Sequence, residues 1–126
     1  MVDAILEVWE AAAVGIKICP TDNLGDTAIS LQELSQTYNY LIPQLVARGI
    51  GFINLTRRGT AVKSINGAEF GTDRPSGTEL PVGYEPLDEF GPLIKFHGSR
   101  TALMINHEYS VEEAEALFQE IGRAHV

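Results

Sequence analysis

The sequence predicts an α/β protein with about three parallel strands and flanking helices. Three observations carry that prediction. Short β-branched runs at 14–20 ("VGIKICP"), 50–56 ("IGFINLT") and 101–105 ("TALMI") alternate with segments of helical period. The helices between them are long enough for right-handed crossovers, which make the strands parallel. Finally, 126 residues at 44% hydrophobic content permit one domain with a small core.

Taken in order, residues 2–10 place Val2, Ile5, Leu6 and Trp9 on one face, the spacing of a helix packed on something larger. The run 14–20 reads as a buried strand ended by Pro20, and "TDNLGDTAIS" is turn chemistry. Ser30 with Glu33 makes a capping box. Leu31, Leu34, Tyr38, Leu41 and Leu45 then recur at helical spacing up to Gly49, a C′ glycine, and Pro43 is expected to kink or fray the last turns. A strand follows over 50–56.

From 57 to 86 periodicity gives way to Gly, Pro, Ser and Asp, a long irregular loop in which Asn66-Gly67 is placed to close a small hairpin. Residues 87–96 suggest a short helix interrupted at Gly91-Pro92. After the third strand, Ser110 with Glu113 opens a helix over Val111, Ala114, Leu117, Phe118 and Ile121, which Gly122 is expected to end. Three parallel strands alone are a poor fold, because both faces and both edges need cover, so homodimerisation or higher homo-oligomerisation is expected to complete it.

The formal charge, 9 basic against 17 acidic residues, is −8 with no basic run, which disfavours nucleic acid. The longest apolar stretch, "AAAVGI", is too short to cross a bilayer and no basic leader precedes it, so a cytoplasmic protein without membrane association is expected. One cysteine, Cys19, gives no disulfide framework, and His97, His107 and His125 lack metal-ligand spacing.

Four stretches, in order, resemble the C-terminal part of the Old Yellow Enzyme family, flavin-dependent ene-reductases on a (β/α)8 barrel. "VGIKICPTDN" is similar to the strand whose basic residue faces the flavin. "NYLIPQLVARGIGFINL" matches the next helix and strand. "LMINHEYSVEEAEAL" is similar to the strand and helix start that receive the flavin phosphate, and "IGR" at 121–123 resembles a remnant of the final strand with its phosphate-binding Arg. The resemblance covers nearly the whole chain but only part of the family's barrel, and so implies that the α/β fold is a partial (β/α) barrel fragment. It implies FMN near Lys17, Asn106, His107 and Arg123. Here Lys17 replaces the family's Arg, Cys19 stands where Ser is usual, the strand before "GR" is missing, and the strands carrying the enone clamp and the Tyr proton donor are absent.

Read as residues, Lys17 is a cation for an oxyanion or, more blandly, a lysine snorkelling to solvent. Asn106 and His107 stand between a strand end and a capped helix, where free amides favour anions and where barrel enzymes place their sites. Arg57 and Arg58 follow the second strand and are placed to hold a carboxylate or, more blandly, to be solvated loop arginines, and Cys19 reads as a small buried side chain. Tyr38, Tyr40, Tyr84 and Tyr109 are all possible acids, none singled out. The expectation is a reduced barrel that has lost hydride transfer and works without a cofactor, an isomerase or cyclase for a small, largely apolar enone or polyene, using Lys17, Asn106 and His107. The alternatives are an FMN-dependent NAD(P)H ene-reductase active only as an assembled oligomer, and a non-catalytic binding or pseudoenzyme subunit.

Overall fold

The structure, a computed structural model, describes residues 1–22, 27–57, 62–63, 69–70, 74–107 and 109–123, with 62–63, 69–70 and 121–123 described as backbone alone. A short helix α1 (Val2–Leu6) and a 3-10 turn (Ala11–Ala13) lead into β1 (Gly15–Ile18), α2 (Leu31–Ala47) and β2 (Phe52–Thr56). The strands β3 (Val62–Lys63) and β4 (Glu69–Phe70) come next, then α3 (Pro86–Ile94), β5 (Ala102–Asn106) and α4 (Val111–Arg123).

β1, β2 and β5 form a parallel sheet in that order. Lys17 lies beside Asn54 and Asn54 beside Met104, with Thr56 beside Asn106 in the row that closes the sheet. Each crossover advances the same way across the sheet. Right-handed connections therefore put α2 and α3 on one face, as in a barrel, rather than on both. Ile18, Ile53 and Leu55 point to that face and pack with Leu34, Ile42 and Leu45 of α2 and Phe90 and Ile94 of α3. The rings of Tyr38 and Phe90 lie 5.7 Å apart, tilted by 57°.

Among the described residues no helix lies over the other face. Gly15, Lys17 and Ala102 are exposed there, with Phe52 39% and Met104 47% exposed. Gly15 has a steric reason: an added Cβ would fall 2.2 Å from the Phe52 ring, which lies across it.

The α/β class and the three-stranded parallel sheet agree with the sequence. So do the Ser30 capping box, with Glu33 N donating to Ser30 Oγ at 3.3 Å, and Gly49, whose φ is +71°. β3 and β4 pair antiparallel as a hairpin requires, although Asn66-Gly67 lies outside the described residues.

Four expectations are corrected. α1 stops at Leu6, and of the predicted face Val2 packs against the core while Ile5 and Trp9 are 39% and 63% exposed. α2 runs through Pro43 to Ala47: burial of Ile42 and Leu45 on either side outweighs the lost hydrogen bond. α3 likewise continues through Gly91-Pro92, with Phe90, Gly91 and Ile94 buried and Pro86 at its start. α4 passes Gly122 to Arg123, so "IGR" is helix and not a strand remnant.

Candidate functional site

The C-terminal edge of the sheet gathers most of the polar chemistry. On the open face, Cys19 Sγ lies 3.2 Å from Thr56 Oγ1, and that hydroxyl donates to Asn106 Oδ1 at 3.3 Å. These three side chains span β2, β5 and the residue just past β1, and form one hydrogen-bonded row across the strand ends. Cys19 is thus half-buried in a polar contact rather than packed as an apolar side chain.

Lys17 lies on the same face, exposed, one strand-repeat nearer the N-terminal end of β1 than Cys19. It stands two strands from Asn106, about 10 Å in the sheet direction, a gap that the lysine stem can largely bridge. Its neighbour Asn54 has a buried Oδ1 with no hydrogen-bond partner. His107 directly follows β5 with φ +87°, a backbone conformation rare for a residue with a Cβ.

Beside this row stands a cluster built on Arg57, whose amide extends the ladder by donating to Asn106 O at 3.1 Å. Its Nε donates to Glu85 Oε2 at 2.7 Å, and its two terminal nitrogens fork onto Glu113 at 2.9 and 3.2 Å. The guanidinium also sits 4.5 Å over the Tyr109 ring. The solvated reading of Arg57 is therefore corrected: its side chain is 12% exposed, and the two carboxylates hold its pKa well above the ordinary arginine value. Arg58 lies outside the described residues.

Tyr109 is the residue that sequence reasoning left undistinguished. Its hydroxyl is buried without a hydrogen-bond partner, and burial, then the Glu85 charge, push its pKa up against the opposing pull of Arg57. Burial there favours the neutral phenol. The signal was its position three residues beyond a strand end, shared by no other tyrosine. Tyr84 is instead committed to Glu89, which also accepts from Ser35 at 2.5 Å and Asn39 at 3.2 Å, a knot joining α2 to α3. Tyr38 is core and Tyr40 is exposed.

Arg74 was not singled out by the sequence either. It gathers three carbonyls, Thr21 O at 2.7 Å, Ile29 O at 2.9 Å and Thr78 O at 2.5 Å, and so stitches the long loop to the connection between β1 and α2. Burial lowers its pKa from the ordinary value. A groove of about 220 Å³ between α1 and α2, bordered by Asp3, Tyr40, Gln44 and Arg48, lies on the helix layer. It belongs to the opposite end of the sheet from the strand C-termini.

The flavin phosphate implied by the resemblance does not fit the described residues at the start of α4. Ser110 N donates to Glu113 Oε2 at 3.0 Å, so the helix already holds its own carboxylate there. Glu112 and Glu113 occupy the first turn, and the Arg57 fork is taken by Glu113 and Glu85. A phosphate dianion would meet like charge. The Arg123 side chain, the other implied phosphate ligand, lies outside the described residues, as does His125. Among the described residues no group of three His, Cys, Asp or Glu side chains is placed to hold a metal, and no helix is long and apolar enough to cross a membrane.

No family model, curated protein or solved structure matches this chain. The functional reading therefore rests on the site itself.

Proposed function

We propose that the chain is a reduced barrel of Old Yellow Enzyme type that acts in the cytoplasm, as an assembly of its own copies, on a small and largely apolar enone or polyene without a cofactor. The observation that carries this reading is the meeting of an uncovered apolar sheet face, Phe52 and Met104, with a polar row at the strand ends. An apolar floor with a few fixed polar groups at its rim suits a conjugated carbonyl compound.

In this reading Lys17 and the Asn106 amide hold the carbonyl oxygen and stabilise the enolate that forms there. The His107 imidazole takes the proton from carbon to leave a dienolate, and the resulting imidazolium returns that proton to a different carbon as the carbonyl re-forms, which gives the isomer with His107 regenerated and no net change of electrons. For a polyene the same polarisation lowers the barrier to ring closure.

The test is a panel of enones and conjugated polyenes incubated with pure protein and followed by chromatography and absorbance. Conversion that survives flavin removal and falls at least about 100-fold in Lys17→Ala and His107→Gly is the expected result. Glycine is chosen at 107 because it keeps the positive φ. No turnover of any member, or turnover untouched by both substitutions, removes the reading.

A further inference from the structure

Two surfaces of this chain lack a cover, and they match each other. One is the open face of the sheet. A parallel sheet is ordinarily covered on both faces, and here the uncovered one presents Phe52 lying flat over Gly15, with Ala102 and Met104 beside it. The other is α4, whose apolar stripe of Val111, Ala114, Leu117 and Phe118 is amphipathic in the sequence yet unused in the fold. Val111 is 78% and Phe118 80% exposed, and of residues 111–120 Leu117 alone is even half-buried.

We propose that the protein is a reciprocal homodimer in which α4 of each copy lies across the open sheet face of the other. The inference holds whether or not the rim is catalytic. Length supports it. Thirteen helical residues reach about 20 Å and five strand residues about 17 Å, so one helix spans the sheet along its strands.

Charge agrees too. The described residues of the open face include Lys17 and no carboxylate, while α4 carries Glu112, Glu113, Glu115 and Glu120. A helix on each face would give the sheet the three-layer arrangement in which parallel strands are stable. The competing assembly pairs β5 of one copy with β1 of the other to close a barrel. It would send α4 of one copy and α1 of its partner over the same strand junction, where one helix fits. In the reciprocal dimer the helix takes the place over Phe52, Ala102 and Met104 that the proposed function gives to open floor, so a substrate would meet the row of Cys19, Thr56 and Asn106 at the rim, with the edge of the partner's α4 as its apolar wall.

Sedimentation equilibrium of the full chain at micromolar concentration is expected to give twice the 13.7 kDa chain mass. Phe118→Glu and Met104→Glu each replace a side chain exposed in the single chain. Each is expected to weaken dimerisation by about 30-fold or more while far-ultraviolet dichroism stays native. In a Cys19→Ser background, chains carrying Phe118→Cys mixed with chains carrying Met104→Cys are expected to form a disulfide-linked heterodimer that neither forms alone. A monomeric native chain, a dimer indifferent to both glutamates, or self-crosslinking of the Met104→Cys chain, which signals sheets packed face to face, would each overturn the proposal.

Discussion

α2 and α4 begin with the same four-residue device and end in different circumstances. Ser30 and Glu33 cap one, Ser110 and Glu113 the other, with Ser-to-Glu amide bonds of 3.1 and 3.0 Å. Yet α2 buries Leu34, Ile42 and Leu45, whereas α4 buries none of its side chains between 111 and 120. Capping is decided within four residues, but burial depends on which strand follows. α2 returns to a strand beside the one it left, and so lies over both. α4 has no such strand among the described residues. A start signal thus places a helix without saying what it covers.

The sharpest way to test that contrast is to truncate one phenylalanine on each side of it. Phe90→Ala, at a fully buried site against Tyr38, is expected to cost about 3–5 kcal/mol by urea unfolding. Phe118→Ala in dilute, monomeric protein is expected to change stability by less than about 0.5 kcal/mol. A comparable loss from both would mean that α4 is packed within its own chain.

Next in size, Arg57→Met leaves Glu85 without its cation at a site where only 19% of that side chain is exposed. A loss of about 2 kcal/mol in the same unfolding experiment is expected, discounted because Glu113 stands nearly half open to water. The loss should be partly recovered in Arg57→Met with Glu85→Gln, since the stranded charge is then gone.

Smaller still, Ser30→Ala is expected to lower global stability by about 1 kcal/mol, because α2 belongs to the core. Ser110→Ala should instead speed amide hydrogen exchange within the first turns of α4 and leave the global midpoint in place. The least effect comes from acid. The Ser30 bonds hold Glu33 below its ordinary 4.5, and Arg48 holds Asp3 below 3.8. Both folded values are depressed, so their contribution is complete above the ordinary values and fades as pH falls through the lowered ones. A slight drop in thermal midpoint below about pH 4, absent in the double variant Asp3→Asn with Glu33→Gln, is the expected reading.

Legibility in the sequence followed the same division. The strands at 15–18, 52–56 and 102–106, both capping boxes and the Gly49 stop could be read because their causes are local. What escaped was decided at a distance. Pro43 and Pro92 look like breaks until the burial around them is known. The helical pattern of 2–10 promised a packed face, of which Val2 meets the core while Ile5 and Trp9 stay exposed.

At the candidate site, Lys17, Asn106 and His107 were placed at or near the strand ends as anticipated, but their linkage through Thr56 and Cys19 depends on strand register. The partners of Arg57 lie 28 and 56 residues away, beyond any local pattern. Tyr109 became distinct from the other tyrosines once burial had removed a partner for its hydroxyl.

The two arginine clamps have a consequence for how this protein could be altered. Arg57 secures the chain as it leaves β2, and Arg74 fastens it again to Thr21 and Ile29 before α3 begins. The interval between these two arginines is therefore held at both ends, and doubling the length of such a span adds only about 0.6 kcal/mol of closure entropy. A foreign peptide or a reporter inserted there is expected to cost the sheet little stability.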